Sequence, residues 1–349
     1  MKNSLIRKVL VLAFIIIILL TGVISSNGEI IENIDNYPQN PINSLDIVLY
    51  VGGSGPGNYT NIQDAIDNAS NGDTVFVFDD SSPYFENIYV DKSILIYGED
   101  PITTTIDGEL KQCTITVNSS NVIISGFRII NGNLSGLKLL NSEDCHIFNN
   151  IIESNKRYGI SLIDSSNNLI EINYITNNDN GTIISSNSNN NIINANKIDN
   201  NFNGLFLQTS SKNLITTNEI INNEYGIKLY SKSRNNFIEL NLISHNDFGI
   251  FLGGTIYPTF AFNILVDGST HNKIKKNNFI ENFQDAFCQN SRRNIWWRNY
   301  WNETRLLPKS ISGELFICRL QGIPPTAIEH HFPWIPRFDW RPALKPFDL

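Results

Sequence analysis

Apolar and polar positions recur along this chain at a nearly fixed interval. Asn168 to Ile175 reads NLIEINYI, Asn191 to Ile198 NIINANKI, Asn213 to Ile220 NLITTNEI, and Asn236 to Ile243 NFIELNLI. Their shared central asparagine falls at Asn150, Asn173, Asn196, Asn218, Asn241, Asn277 and Asn299, in steps of 23, 23, 22, 23, 36 and 22 residues. Gly126 is expected to hold the same place one coil earlier, which gives coils of 22 to 24 residues. The long step is one coil plus about 13 inserted residues. Such self-similarity marks a solenoid of short extended pieces.

Other columns keep the register. Three residues before the ladder asparagine stand Ile147, Ile170, Ile193, Ile215, Ile238, Ile274 and Trp296. Two after it stand Ile152, Ile175, Ile198, Ile220, Ile243, Phe279 and Trp301. A second asparagine column runs through Asn155, Asn178, Asn201, Asn223, Asn246 and Asn282. Gly159, Gly181, Gly204, Gly226 and Gly249 follow, then inward pairs such as Leu205/Leu207, Ile227/Leu229 and Ile250/Leu252. The ladder asparagines are expected to take left-handed dihedrals at a corner and to bond amide to amide along the stack. The glycine column is expected to supply positive φ where the chain turns again. The fold class predicted is all-β: a right-handed single-stranded parallel β-helix with a short N-terminal capping helix and an extended C-terminal tail. The leucine-rich pattern L-x-x-L-x-L is absent, and the hexapeptide period of left-handed β-helices does not fit.

The predicted domain order follows. Residues 1–26 read as a signal peptide, or a retained anchor: Lys2, Arg7 and Lys8 precede an apolar run from Val9 to Ile24, then small residues. Residues 27–47 form a linker and 48–118 the N-terminal cap with the first irregular coils. Thr60-Asn61-Ile62-Gln63 reads as a capping box, ahead of an apolar helical face of Ile62, Ala65, Ile66 and Ala69. Residues 119–302 are the repeats, with an insertion at about 254–267, and 303–349 a tail rich in proline and aromatics. Export makes the sequons at Asn58, Asn68, Asn118, Asn133, Asn180 and Asn302 candidate glycosylation sites. Cys113, Cys145, Cys288 and Cys318 form no CxxC and no zinc spacing, and sequence alone assigns no pairing among them.

With 41% apolar and 17% charged residues the chain is not disordered. Its net charge is −8, and Lys and Arg are scattered apart from Lys275-Lys276 and Arg292-Arg293, so no stripe for nucleic acid is expected. The repeat also serves as a ruler for chemistry, because residues of one column in adjacent coils lie roughly 5 Å apart. Six past the ladder stand Lys156, Asp179, Phe202, Glu224, Asp247 and Phe283; four past it stand Ser154, Asn177, Asn200, Asn222, His245 and Glu281. Glu224, Asp247, His245 and Glu281 therefore form an acidic corner, the weak candidate for catalysis or for calcium. No Arg or Lys stands beside it in register, and a solvated polar turn is the plainer reading. No cofactor is called for. Outward aromatics are a second hint: Phe206 and Phe251 share a solvent-side column with Ser161, Ile183 and Lys228, and the insertion adds Tyr257, Phe260 and Phe262. Sugars stack on such faces. Glu329-His330-His331 reads as a wet tail segment rather than a metal site.

Residues 50–107 carry YVGGSGPGNYTNIQDAIDNASNGDTVFVF, ENIYVDKSILIYGED and TTIDG. With the repeats, these resemble NosD-like accessory proteins and the wider CASH-domain β-helices of the pectin-lyase-like superfamily. The tail segments NYWNETRLLPK and FDWRPALKPFDL resemble those of archaeal surface members. The resemblance covers roughly residues 48–349. It implies an extracytoplasmic location and glycan contact, but no reaction, because the group mixes enzymes, binders and surface proteins. Copper association transfers poorly: the only methionine is Met1, inside the leader, so the mature chain offers no thioether to Cu(I). The expectation is an exported, secreted or cell-surface protein, non-catalytic, binding glycans or building the envelope. Its partners would be polysaccharide or envelope glycans, not nucleic acid, with membrane contact only through a retained N-terminal segment. A polysaccharide lyase or glycoside hydrolase is the alternative, and an accessory protein for a periplasmic metalloenzyme the third reading.

Overall fold

A computed structural model of the chain describes residues 47–254, 256–258, 264–266, 268–302, 307–321, 326–333, 337–339 and 341–349, with the side chains of 255–267 and 314–337 outside the description. The leader, nearly all of the linker, Phe260 and Phe262 lie outside the described residues. So do the side chains of Tyr257, Cys318, Glu329, His330 and His331.

The described residues form a parallel β-solenoid of about 11 turns. A regular coil has three strands, for example Leu169–Glu171, Tyr174–Thr176 and Asn180–Ser185, which lie on what we call the first, second and third faces. Like strands of successive coils pair in register, so Ile147, Ile170, Ile193, Ile215, Ile238, Ile274 and Trp296 form one inward column. These side chains and the column from Ile152 to Trp301 are buried in one continuous core. A one-residue slip would turn each such column outward, which pins the register.

At the first and second corners of the regular coils one left-handed residue bends the chain and the ladder residue comes next; the third corner carries two or three, as at Asp164 and Asn167. At the first corner Asn149, Ile172, Ala195, Thr217, Leu240, Lys276 and Arg298 have φ of 50–58°. The ladder asparagines are thus not the left-handed residues, contrary to expectation; their predecessors are. The side chain of Asn173 shows what the ladder does. Its Oδ1 accepts both the main-chain N–H and the Nδ2 of Asn150 at 3.1 Å. Its Nδ2 donates to the carbonyls of Ile147 and Glu171 at 2.9 Å and to Asn196 Oδ1 at 3.0 Å. After a left-handed residue the carbonyl above no longer faces the next N–H, and the amide oxygen replaces it. The second ladder, Asn155 to Asn282, works alike. A third, unforeseen as a ladder, joins Asn168, Asn191, Asn213, Asn236, Asn272 and Asn294. Its signal was the first letter of the repeated segments.

Three further expectations change. Phe127, not Gly126, holds the first ladder position, donating its N–H to Asn150 Oδ1; Gly126, at φ 84°, fills the left-handed column, so the step there is 23 like its neighbours rather than 24. Gly159, Gly181, Gly204, Gly226 and Gly249 are absent from the positive-φ residues. Glycine is needed there for close approach: a Cβ on Gly204 would stand 2.6 Å from the Gly226 carbonyl oxygen and 3.0 Å from Asn223 Nδ2. Arg157, not Lys156, aligns with Asp179, because Asn180 and Asn203 donate to Arg157 and Asp179 respectively; that coil has one extra residue.

Both ends are covered. The helix Ile62–Asn68 buries Ile62, Ala65 and Ile66 over the first coils. The predicted capping box is not made; the Glu86 carboxylate from a later coil accepts the N–H groups of Ile62 and Gln63 at 2.8 and 2.9 Å. At the other end Asp339 takes the place of the next ladder asparagine. Its carboxylate accepts from Asn299 N–H and Nδ2, Arg298 N–H and Trp301 Nε1 at 2.9–3.2 Å. The tail then runs back along the coils, with reciprocal bonds between Phe347 and Asn278 at 2.8 and 2.9 Å.

Asn196→Ala or Asn218→Ala is expected to cost about 1–3 kcal/mol, because each leaves buried main-chain partners unsatisfied. Asp339→Ala should cost more in thermal or denaturant unfolding, since it leaves several donors without their acceptor, whereas Asp339→Asn should retain most of the stability. Equal melting temperatures for Asp339→Ala and parent would refute the end-cap role. Thr182 is fully buried with its hydroxyl unpartnered. Thr182→Val should therefore raise the melting temperature, because burying an unbonded hydroxyl costs about 1–3 kcal/mol.

Candidate functional site

The outer side of the third face carries a contiguous aromatic surface. Outward positions of its strands alternate with the buried Leu205/Leu207, Ile227/Leu229 and Ile250/Leu252 pairs. Coil stacking brings Tyr225 and Phe248 into parallel contact, with ring centres 5.0 Å apart and planes at 7°. Phe251 stacks on Phe287 at 5.7 Å and meets Tyr225 edge-on at 5.5 Å. Phe202 extends the row at 5.9 Å from Tyr225 and is about half exposed. Lys228 lies among these rings, its Nζ 4.2 Å from the Tyr225 ring centre and 5.7 Å from those of Phe206 and Phe251. Burial lowers the Lys228 pKa, with Glu224 pulling the other way. Burial likewise raises that of Tyr225, helped by the charges of Glu224 and Asp247. Of the column predicted to face solvent, Phe206, Lys228 and Phe251 are half-buried, but Ser161 and Ile183 are buried. Ser161 meets Ser135 hydroxyl to hydroxyl at 2.9 Å. Tyr225, Phe248 and Phe287 were missed in the sequence; the signals were an aromatic residue directly after Glu224 and after Asp247, and the register that pairs Phe287 with Phe251.

The acidic corner edges this face where the second face turns into the third. His245 Nε2 lies 2.8 Å from Glu281 Oε2, so the insertion does leave the two coils stacked. Glu224 and Asp247 stand one coil apart, the Glu224 carbonyl accepting the N–H of Phe248 at 2.8 Å. Both His245 and Glu281 are exposed and left-handed, like Asn177, Asn200 and Asn222 in the same column. Neither column of the corner supplies a cation, but the third-face strand does: Lys228 lies within the electrostatic reach of Glu224. On the first face a separate pair joins His146 Nε2 to Glu171 Oε1 at 3.0 Å, with Asn194 Nδ2 on the other carboxylate oxygen at 3.0 Å. Burial pushes the Glu171 carboxyl up, but these two bonds and the histidine's charge outweigh it, and the net direction is down. None of the six sequon asparagines is buried.

The family model described as "Periplasmic copper-binding protein (NosD)" matches residues 66–255 and 222–317. The residues described here do not suit copper. Cys113, Cys145 and Cys288 are buried, and burial pushes Cys145 up to about 11, against a thiolate. No three His, Cys, Asp or Glu side chains converge among the described residues. A cell surface glycoprotein of Methanothermus fervidus is 36% identical over 97 residues, which is 28% of this chain and 16% of that protein's length. Among solved structures, the Dettilon tailspike protein superposes with a TM-score of 0.55 at 16% identity, over 72% of this chain and 55% of its own. XylC, in its complex with xylose, superposes with a TM-score of 0.53 at 11% identity, over 77% of this chain and 71% of its own. At these identities the two structures speak for the fold alone. The family match runs from the capping helix through every regular coil, and this chain belongs to the NosD family.

Proposed function

We propose that this chain is an extracytoplasmic surface β-helix protein that binds glycan chains along its third face without cleaving them. The observation that carries the reading is the half-buried aromatic surface built by Tyr225, Phe248, Phe251 and Phe287 and continued by the exposed Phe202. Flat ring faces take sugar rings, whose C–H faces are apolar while their hydroxyls stay in water. Membership of a periplasmic family and the likeness to a cell surface glycoprotein support the extracytoplasmic placement. The match to that glycoprotein is too short to carry its whole role.

A panel of soluble neutral glycans, titrated calorimetrically, tests the binding. The parent should bind at least one of them. Tyr225→Ala with Phe248→Ala should weaken it about tenfold or more, which corresponds to about 1.4 kcal/mol. Binding equal to the parent's in the double variant, or none in the parent, would overturn the reading.

The cleavage reading has one observation behind it, the His245–Glu281 pair beside Glu224 and Asp247. Paired carboxylates serve glycoside hydrolysis, and stacked ones could recruit a cation. We expect no release of reducing ends and no rise in melting temperature with excess calcium, because the pair is exposed and the column is polar. Glycan cleavage lost in Glu224→Gln with Asp247→Asn would put cleavage in place of binding alone, and a calcium-dependent rise lost in that variant would place a cation site at this corner.

A further inference from the structure

Lysine and arginine look scattered along the chain, yet stacking gathers them at the corner where the third face returns to the first. There a cleft of about 660 Å³ is lined by Lys212, Arg234 and His271 among Asn190, Asn235 and Ser211. Ser211, Arg234, Thr270 and Arg292 share one column of backbone bridges. Asn190, Lys212, Asn235, His271 and Arg293 share the adjacent left-handed column, at φ 56–60°. Over three coil rises of ~4.8 Å, about 15 Å in all, this corner presents Lys212, Arg234, Arg292, Arg293 and His271, all exposed. No carboxylate lines the cleft. Among the described residues no ion pair engages Lys212, Arg234, Arg292 or Arg293. The same corner begins with the acidic Glu143 and Asp144 in its first regular coil, so its charge changes sign along the axis. Such a cationic run in a chain of net charge −8 is a local feature, not a consequence of composition.

We propose that this corner is an anion-binding cleft that takes the carboxylate or sulfate groups of an acidic glycan lying along the solenoid axis. The inference rests on the glycan-binding reading and names the ligand class for it. Arginine forks pair with carboxylate and sulfate oxygens through two parallel N–H groups, and the asparagine and serine side chains between them suit sugar hydroxyls. An extended acidic glycan offers one charge per ring or two, a repeat commensurate with the coil rise. The cleft adjoins the strands that carry Phe206 and Tyr230, so one chain can reach both rings and cations. A nucleic acid fits less well. The positive run spans only about 15 Å, so it can meet few phosphates of a duplex at once.

Matched glycan pairs test it: dextran sulfate against dextran, and oligogalacturonate against its methyl ester. The full chain should bind at least one charged member at least tenfold more tightly than its uncharged match, with the difference shrinking as salt rises. Lys212→Asn with Arg234→Ser should abolish that preference while leaving neutral-glycan affinity and melting temperature near the parent's. Both replacements are residues this chain already uses in the same two columns, as Asn190 and Ser211. Lys156→Ala with Arg157→Ala removes as much charge at another corner and should leave the preference intact. Neutral binding on the third face without any acidic preference would sink this inference alone. A preference surviving in Lys212→Asn/Arg234→Ser would also sink it. Absence of all glycan binding would remove both proposals. Duplex DNA bound as tightly as the acidic glycans would reassign the cleft to polyanions in general.

Discussion

At the corners of the regular coils, from Phe127, Gly132 and Cys145 onward, a main-chain N–H that follows a left-handed residue is met by an asparagine oxygen of the next coil. That bond repeats along three asparagine ladders, and the rest of the structure depends on it. A parallel stack can close each face with ordinary backbone pairing, but where the chain bends, the carbonyl that would accept next is turned away. An amide solves both halves of the problem, since it accepts that N–H and donates to the stranded carbonyl of its own coil, as Asn173 does toward Glu171. The ladder therefore needs a side chain both short and two-headed, which is why asparagine recurs where serine or glutamine would satisfy only part of the set.

Such a stack has to start and stop somewhere. At the front, the main-chain N–H of Phe127 donates to the first asparagine oxygen, that of Asn150, and a helix held by Glu86 covers the core. At the back, a carboxylate substitutes for the missing amide. Asp339 offers acceptors only, and its carboxylate meets four donors of the last coil, the N–H groups of Arg298 and Asn299, Asn299 Nδ2 and Trp301 Nε1. This also binds the tail to the final coil, and Phe347 then bonds Asn278 one coil back.

With corners and core committed to structure, chemistry is left to the outward positions. These are free to vary coil by coil, and they separate by place. Aromatic residues gather on the third face, carboxylates and His245 at the edge where that face begins, and cations at the edge where it ends. A polymer laid along the axis would meet all three at a spacing close to its own repeat.

The repeat alone determined the fold class, the inward columns and two of the three ladders, because each coil must place the same side-chain type against its neighbour and so writes its register into the sequence. The left-handed positions were not legible. Ile172, Thr217 and Leu240 have no local taste for that backbone; the ladder on the following residue imposes it. The glycine column was misread for a related reason: its constraint is the Gly226 carbonyl one coil away, which only packing reveals. Asp339 and Glu86 were invisible as caps, since neither lies near its partners in the chain. The acidic corner could be read because its residues share a column. The basic corner could not, because Lys212 and Arg234 fall in two adjacent columns that merge into one surface only when the backbone turns between them.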